Sequence, residues 1–301
     1  MSKLRDRAKF IWDFGGGGVF TSALRVLDEL NNRSHAWDVN VVNGEISGSL
    51  SNSPRYVEAC RLAVSEEAAF RKFRSCTSYR MVLEHVSPRT GEKYLRMLRR
   101  DEKAYKTLRS LLPIINTGGP AKYRFKGLGK ISPTSIRYAK VHQDLIDLFG
   151  DLTRYSITEI GCGYGGMATQ IIFGEDICSY AVVDLPEVED LAIKFVKTMI
   201  DDSSSALVRG DRDANGKIDL LLSNYAFSEL SRELQDVYIN CFLKYSARGY
   251  MIYNHINPPE FNSYTAREIC EMLPGAEIKE EFPKTDPTNV LIVWGHNSAH
   301  R

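Results

Sequence analysis

Glu159, Gly161, Gly163, Gly165 and Asp184 are the residues whose types and spacing best suit the holding of a small molecule. The run Glu159-Ile160-Gly161-Cys162-Gly163-Tyr164-Gly165-Gly166 follows a β-rich stretch, Tyr155 to Ile160, and precedes a helical one, Met167 to Phe173. Glycines at such a turn let the backbone approach a ligand where side chains would collide, and the first amides of the next helix lack partners inside it. A second β-rich run, Ser179 to Val183, ends at Asp184, twenty-five residues beyond Glu159. A carboxylate there can accept both hydroxyls of a ribose, so the pair predicts a nucleoside-bearing cofactor.

Two cofactor readings share these features. Gly161, Gly163 and Gly166 satisfy the G-x-G-x-x-G template of nicotinamide-dinucleotide domains. Glu159 with Gly161, Gly163 and Gly165 also forms the E-x-G-x-G-x-G text of class I methyltransferases, which bind S-adenosylmethionine. No Tyr is followed by Lys four residues on, so the base pair of short-chain dehydrogenases is missing, and the loop begins past the middle of the chain.

In an open parallel sheet ligands meet the carboxyl ends of the strands. The stretch after Ile218–Ser223 offers Asn224, Tyr225, Ser228 and Glu229, and the stretch after Gly249 offers Asn254 and His255. His255 is the first candidate for a general base, since imidazole accepts a proton near neutral pH. Glu229 is second and His85, from the helical region, third. Each has a plainer reading: a histidine bonded at a strand end, a glutamate capping the next helix, a histidine packed on a helix. Asn224 to Phe227 invites comparison with the D/N-P-P-Y/F text of amino-methyltransferases, but both prolines are missing. Asp211 to Ile218 matches the start of a calcium loop, yet Leu222 stands where a bidentate Glu is needed, so no metal is expected. The four glycines Gly15 to Gly18 have no flanking strand and no Lys-Ser/Thr, and are not a phosphate loop.

The elements that must position these residues divide the chain. Residues 1–52 read as an arm or loosely packed leader. Ser53-Pro54, Ser87-Pro88 and Ser132-Pro133 each precede helix-forming sequence, the serine capping and the proline occupying a position whose amide would be orphaned anyway. A helical region over 53–150 follows, with period-bearing residues Tyr94, Leu98, Tyr105, Leu108 and Leu112, then Tyr138, Val141, Leu145 and Leu148. Over 151–301, β-rich runs alternate with helical ones, which predicts a parallel sheet covered on both faces, an α/β Rossmann-like domain. Asn116 to Gly127, including Tyr123, joins the two regions and mixes glycines, aromatics and cations as a flap over a ligand would.

Lys plus Arg number 39 against 38 Asp plus Glu, so the net charge of +1 provides no field for a polyanion and nucleic acid is not an expected partner. No apolar stretch approaches the roughly 20 residues of a membrane span, and the first residues lack the apolar core of a signal peptide, so a cytoplasmic protein is expected. The six cysteines include no C-x-x-C pair and are expected to be reduced and mostly buried.

From about Ser53 to His255 the sequence resembles the sugar O-methyltransferases found among bacterial surface-polysaccharide genes. The likeness rests on Tyr56-Val57-Glu58-Ala59-Cys60 with Phe70 to Phe73, Leu83-Glu84-His85-Val86, Ile131 to Tyr138, the glycine run, Val183-Asp184-Leu185-Pro186-Glu187-Val188, and Ser223-Asn224-Tyr225-Ala226-Phe227-Ser228-Glu229-Leu230. The resemblance implies methyl transfer from S-adenosylmethionine to a sugar hydroxyl of a glycan or glycan precursor, in polysaccharide biosynthesis. It also implies strand order 3-2-1-4-5-7-6 with the seventh strand antiparallel. Cofactor contacts would then come from Glu159, Gly161, Cys162, Gly163, Tyr164, Gly165, Asp184, Leu185 and Asn224, and acceptor contacts from Tyr123, Arg137, Tyr138 and Tyr225. A nicotinamide-dependent oxidoreductase and a non-catalytic S-adenosylmethionine-binding protein stay open as alternatives.

Overall fold

A computed structural model describes residues 53–200, 206–210 and 217–296. The arm over 1–52 and the calcium-like turn over 211–216 lie outside the described residues, all of which belong to one compact unit.

Five helices come first: α1 (Pro54–Ser65), α2 (Glu67–Phe70), α3 (Thr77–Val82), α4 (Pro88–Leu98) and α5 (Glu102–Ser110). The predicted serine caps appear at Ser87, whose hydroxyl accepts from the Thr90 amide, and at Ser132, which accepts from Thr134; Ser53 stands at a cap position without that bond. The period through Tyr94 and Leu112 is not one helix. It breaks at Arg99–Asp101, where Asp101 caps α5 by accepting from the Ala104 amide at 2.8 Å. The expected flap instead contains a hairpin, β1 (Tyr123–Phe125) against β2 (Gly129–Ile131), which leads into α6 (Pro133–Phe149). Leu95, Leu98, Leu108, Leu111, Phe125, Ile131 and Ile136 close a small core between α4, α5, the hairpin and α6.

The rest alternates strand and helix: β3 (Ser156–Ile160), α7 (Gly166–Gly174), β4 (Ser179–Val183), α8 (Pro186–Met199), β5 (Leu207–Arg209), β6 (Leu220–Asn224), α9 (Arg232–Cys241), β7 (Gly249–Tyr253), α10 (Ala266–Met272), β8 (Glu277–Glu280) and β9 (Val290–Trp294). They form a seven-stranded sheet in the order β5-β4-β3-β6-β7-β9-β8. Renumbered within the sheet this is 3-2-1-4-5-7-6, the order implied by the resemblance. The pairs among β3 to β7 are parallel, and β9 runs antiparallel to both its neighbours.

Side chains alternate across the pleat, so each strand serves two cores. Leu220, Leu222, Tyr250, Ile252, Leu291 and Val293 face α1, α6, α7 and α8. Leu221, Met251, Tyr253, Ile292 and Trp294 face α9 and α10. A sheet buried on both faces presents only its strand ends to ligands, which fixes where chemistry can occur.

The cysteine expectation needs correcting. Only Cys60 and Cys162 are buried, Cys76 and Cys178 are exposed, and the other two are half-buried; all six are free thiols.

Candidate active site

The carboxyl edge of β3 makes the glycine turn that the sequence predicts. Gly161, Gly163 and Gly165 all have positive φ, at 79°, 53° and 79°, a region costly to residues with a Cβ. Packing adds a second constraint. A Cβ at Gly161 would stand 1.9 Å from the Ala226 Cβ, and one at Gly163 would stand 2.7 Å from Leu83. The turn is thus pressed between the segment after β6 and the end of α3. Tyr164 is fully buried and packs edge-on against Phe195 at 4.9 Å, with the Arg74 guanidinium 4.3 Å above its ring. Its side chain packs the interior, which leaves its backbone for a ligand. Cys162 is buried as well.

Asp184 ends β4 beside this turn. Its Oδ2 accepts from the Gly163 amide at 3.1 Å and its Oδ1 from the Leu185 amide at 2.8 Å, so the carboxylate and the glycine turn form one unit. Burial pushes the Asp184 carboxyl up to about 6, against those two amides, which favour the ionised form. Tyr56 and Cys60 of α1 lie close by, and burial and then the Asp184 charge push the Cys60 thiol up to about 12.

Glu159 lies one residue before the end of β3 and is 1% exposed. Burial pushes its carboxyl up to about 8; the Tyr180 hydroxyl, donating to Oε2 at 2.8 Å, opposes this and the Asp184 charge adds to it. Tyr180 was not among the expected site residues. The signal was available in the register, since Tyr180 opposes Ile157 in the parallel pair and so lies on the same face as Glu159. Asn224 interacts with Glu159 closely enough to favour its ionised form, yet neither polar atom of its buried side chain meets a partner at full hydrogen-bond geometry. Such orphaned groups are costly, and they suit a site completed by a ligand.

After Asn224 the chain makes a strained turn. Tyr225 has φ 74°, rare for a bulky residue. Its hydroxyl donates to Glu281 Oε1 at 2.6 Å and lies 3.0 Å from the Thr285 hydroxyl. The Arg137 guanidinium of α6 stands 5.4 Å from the ring centres of both Tyr138 and Tyr225. His85, just beyond α3, is exposed at its surface while the protein packed around its ring desolvates it. That burial, followed by the Arg137 charge, pushes its imidazole down to about 4.

The segments after β6 and β7 are tied together. The Ser228 hydroxyl lies 2.6 Å from the Tyr225 carbonyl and 2.9 Å from Asn254 Oδ1, and the Asn254 amide donates to Glu229 Oε1 at 2.8 Å. Glu229 is therefore oriented by the neighbouring strand end, and the helix cap expected of it falls at Ser231 instead. His255 is exposed, its ring centre 5.3 Å from that of Tyr253. Tyr123, on the exposed edge of the hairpin, makes no side-chain hydrogen bond or ring contact among the described residues. No group of three or more His, Cys, Asp or Glu suited to a metal occurs among the described residues, nor does a helix long and apolar enough to cross a membrane.

No family model matches the chain, and no curated protein does. Solved structures resemble it in fold. Magnesium protoporphyrin IX methyltransferase (ChlM) from Synechocystis PCC 6803, with bound SAH, is 13% identical over 53% of this chain and 82% of its own, with a TM-score of 0.41. The pyocyanin biosynthetic protein PhzM is 14% identical over 82% of this chain and 74% of its own, at 0.39. The mitomycin 7-O-methyltransferase MmcR is 10% identical over 80% and 68%, at 0.38. Likeness at this level concerns the fold, an α/β sheet with helices on both faces.

Proposed function

We propose that the chain is an S-adenosylmethionine-dependent O-methyltransferase whose acceptor is a sugar hydroxyl. The observation that carries the cofactor assignment is the reversed β9 inserted between β7 and β8, in a sheet whose glycine turn is hydrogen-bonded to Asp184. Dinucleotide domains continue 3-2-1-4-5-6 and have no such reversed strand. The residues present suit the cofactor: Asp184 has acceptor capacity for ribose hydroxyls, the glycine turn admits close approach, and the orphaned Asn224 amide and raised Glu159 carboxyl await polar partners.

Bound there, S-adenosylmethionine supplies a methyl group on a positively charged sulfur, already electrophilic. The chain then has to hold an acceptor oxygen in line and exclude water, from which most of the acceleration follows. An alcohol also needs its proton removed in the transition state, typically a gain of about 10²- to 10⁴-fold. His255 is our first assignment for that base and Glu229, held by Asn254, the second. His85, at about 4, is neutral at physiological pH but too weak a base to rank above either. The sugar assignment rests on the texts around Asp184-Leu185-Pro186 and Ser223 to Leu230, with Arg137, Tyr138 and Tyr225 on the acceptor side.

The test is calorimetric titration with S-adenosylmethionine, S-adenosylhomocysteine and NADH in parallel, followed by methyl-transfer assays on a panel of glycans and sugar nucleotides. Binding of the two sulfur ligands alone supports the reading. Binding of NADH alone overturns it, and cofactor binding without turnover on any acceptor points to a non-catalytic role.

A further inference from the structure

Two arginines are buried in the region before the sheet, and they differ in one respect. Arg74 is saturated: its guanidinium meets Glu84 at 2.6 Å, the Ile115 carbonyl at 2.7 Å and the Thr117 carbonyl at 3.1 Å, and lies over the Tyr164 ring. Arg137 is 5% exposed and forms no ion pair with a carboxylate among the described residues; it is held by a hydrogen bond with Tyr138 and by the rings of Tyr138 and Tyr225, each 5.4 Å away. A buried cation without a counter-charge is costly to the fold, and its retention needs a reason. A second observation lies close by: Glu159 feels both Arg137 and Asn224, and the two polar side-chain atoms of Asn224 are buried with no partner at full hydrogen-bond geometry. The Arg137 guanidinium is a rigid fork whose geometry matches two oxygens of one carboxylate.

We propose that Arg137 is the receptor for a carboxylate carried by a ligand bound at the carboxyl ends of β3 and β6. The proposal rests on the methyltransferase reading for the two sources of that group: the amino-acid tail of the cofactor, or an acidic sugar acceptor. Arg137 lies among His85, Tyr94, Tyr138 and Tyr225, with Glu159 within range of its charge. A carboxylate docked on Arg137 cancels the charge that disfavours protonated His85. The His85 imidazole then rises above about 4 by the share that the Arg137 charge contributes, the larger share due to desolvation remaining, a change that a merely structural arginine would not produce.

The test uses the full chain and Arg137→Gln, with Arg137→Lys as a second variant that keeps the charge and loses the fork. Each is titrated with S-adenosylhomocysteine and with 5′-methylthioadenosine, which shares the adenosine and sulfur but lacks the amino-acid tail, while the His85 ring signals are followed by NMR. If the carboxylate belongs to the cofactor, Arg137→Gln weakens S-adenosylhomocysteine about tenfold to a hundredfold and leaves methylthioadenosine within about twofold. If it belongs to the acceptor, both nucleosides bind both proteins alike. Glucuronate then binds the native chain in preference to glucose, shifts His85, and loses that preference in Arg137→Gln. Failure to discriminate in either pair overturns the proposal. A native chain that binds neither nucleoside sinks the cofactor reading instead, and the glucuronate arm still decides Arg137. Should Arg137→Gln not fold, the native chain's His85 response to each probe, with Arg137→Lys, decides in its place.

Discussion

Replacing Glu159 by Gln should make the empty protein more stable at alkaline pH, and by an amount that the burial of Glu159 sets. The carboxyl moves from an ordinary 4.5 in the unfolded chain to about 8 in the fold. At about 1.4 kcal/mol per pH decade, the ionised form is disfavoured inside by an upper limit of roughly 5 kcal/mol. The native state therefore holds a proton between pH 4.5 and 8 that the unfolded state has released, and stability falls as pH rises through that window. Glu159→Gln has no such proton, and its amide oxygen can still accept the Tyr180 hydroxyl. Urea unfolding of both proteins at pH 5, 7 and 9 measures the effect. The wild type should lose several kcal/mol relative to the variant between the first and last points. Parallel stability–pH curves would refute the reasoning and mean that Glu159 is hydrated or already charge-paired. The same argument makes binding of a cation-bearing cofactor release protons near pH 7, readable by calorimetry in buffers of different ionisation heat.

Other outcomes are expected at the neighbouring residues. Asp184→Asn should weaken S-adenosylhomocysteine about tenfold to a hundredfold through loss of charged acceptors for the ribose. Because binding favours the ionised form of a group at about 6, wild-type affinity should also fall as pH drops below 6, and the variant should lose that dependence. Gly161→Ala should lower the melting temperature or abolish folding through the 1.9 Å approach to Ala226; adding Ala226→Gly should recover most of the loss and leave about 1 kcal/mol of backbone cost at positive φ. His255→Ala should keep cofactor affinity and lose about 10²- to 10⁴-fold in turnover on a responsive acceptor. Full activity there, with loss in Glu229→Gln, would transfer the role of base to Glu229.

The strands were legible where hydrophobic pattern and length agree. Ser179–Val183 and Val290–Trp294 fall where the β-rich runs predict them, and β3, β6, β7 and β8 differ only at their ends. β5 escaped because three residues with Val208 exposed offer no alternation to read. The hairpin escaped for the same reason, its two strands of three residues each burying one side chain. The break at Arg99–Asp101 was masked by apolar residues that keep a helical spacing across it, although Asp101 followed by Glu102 is itself a helix-start signal. At the site, residues bound to their role by backbone chemistry, the glycines and Asp184, could be read directly. Tyr180, Tyr56, Cys60 and Glu281 could not, because their parts come from contacts far apart in sequence: Tyr180 reaches Glu159 across a strand pair, and Glu281 reaches Tyr225 from beyond β8.

Those distant contacts explain why the turn after β6 holds a conformation that its own residues disfavour. A bulky residue at φ 74° costs on the order of 1–3 kcal/mol and persists only where its surroundings over-determine it. Here the Tyr225 amide donates to the Ile252 carbonyl at 2.9 Å, Ser228 holds its carbonyl at 2.6 Å, and Glu281 and Thr285 hold its hydroxyl. The next residue, Ala226, fills the space that Gly161 leaves, so the glycine turn and the turn after β6 can exist in these shapes only together. The strain thus orients Asn224 and Tyr225 relative to the cofactor loop before any ligand arrives. It does so at the carboxyl edge of the sheet, where the parallel neighbours β3 and β6 end side by side. Preorganisation of that kind is what an in-line transfer between two bound molecules requires of a protein that contributes positioning more than covalent chemistry.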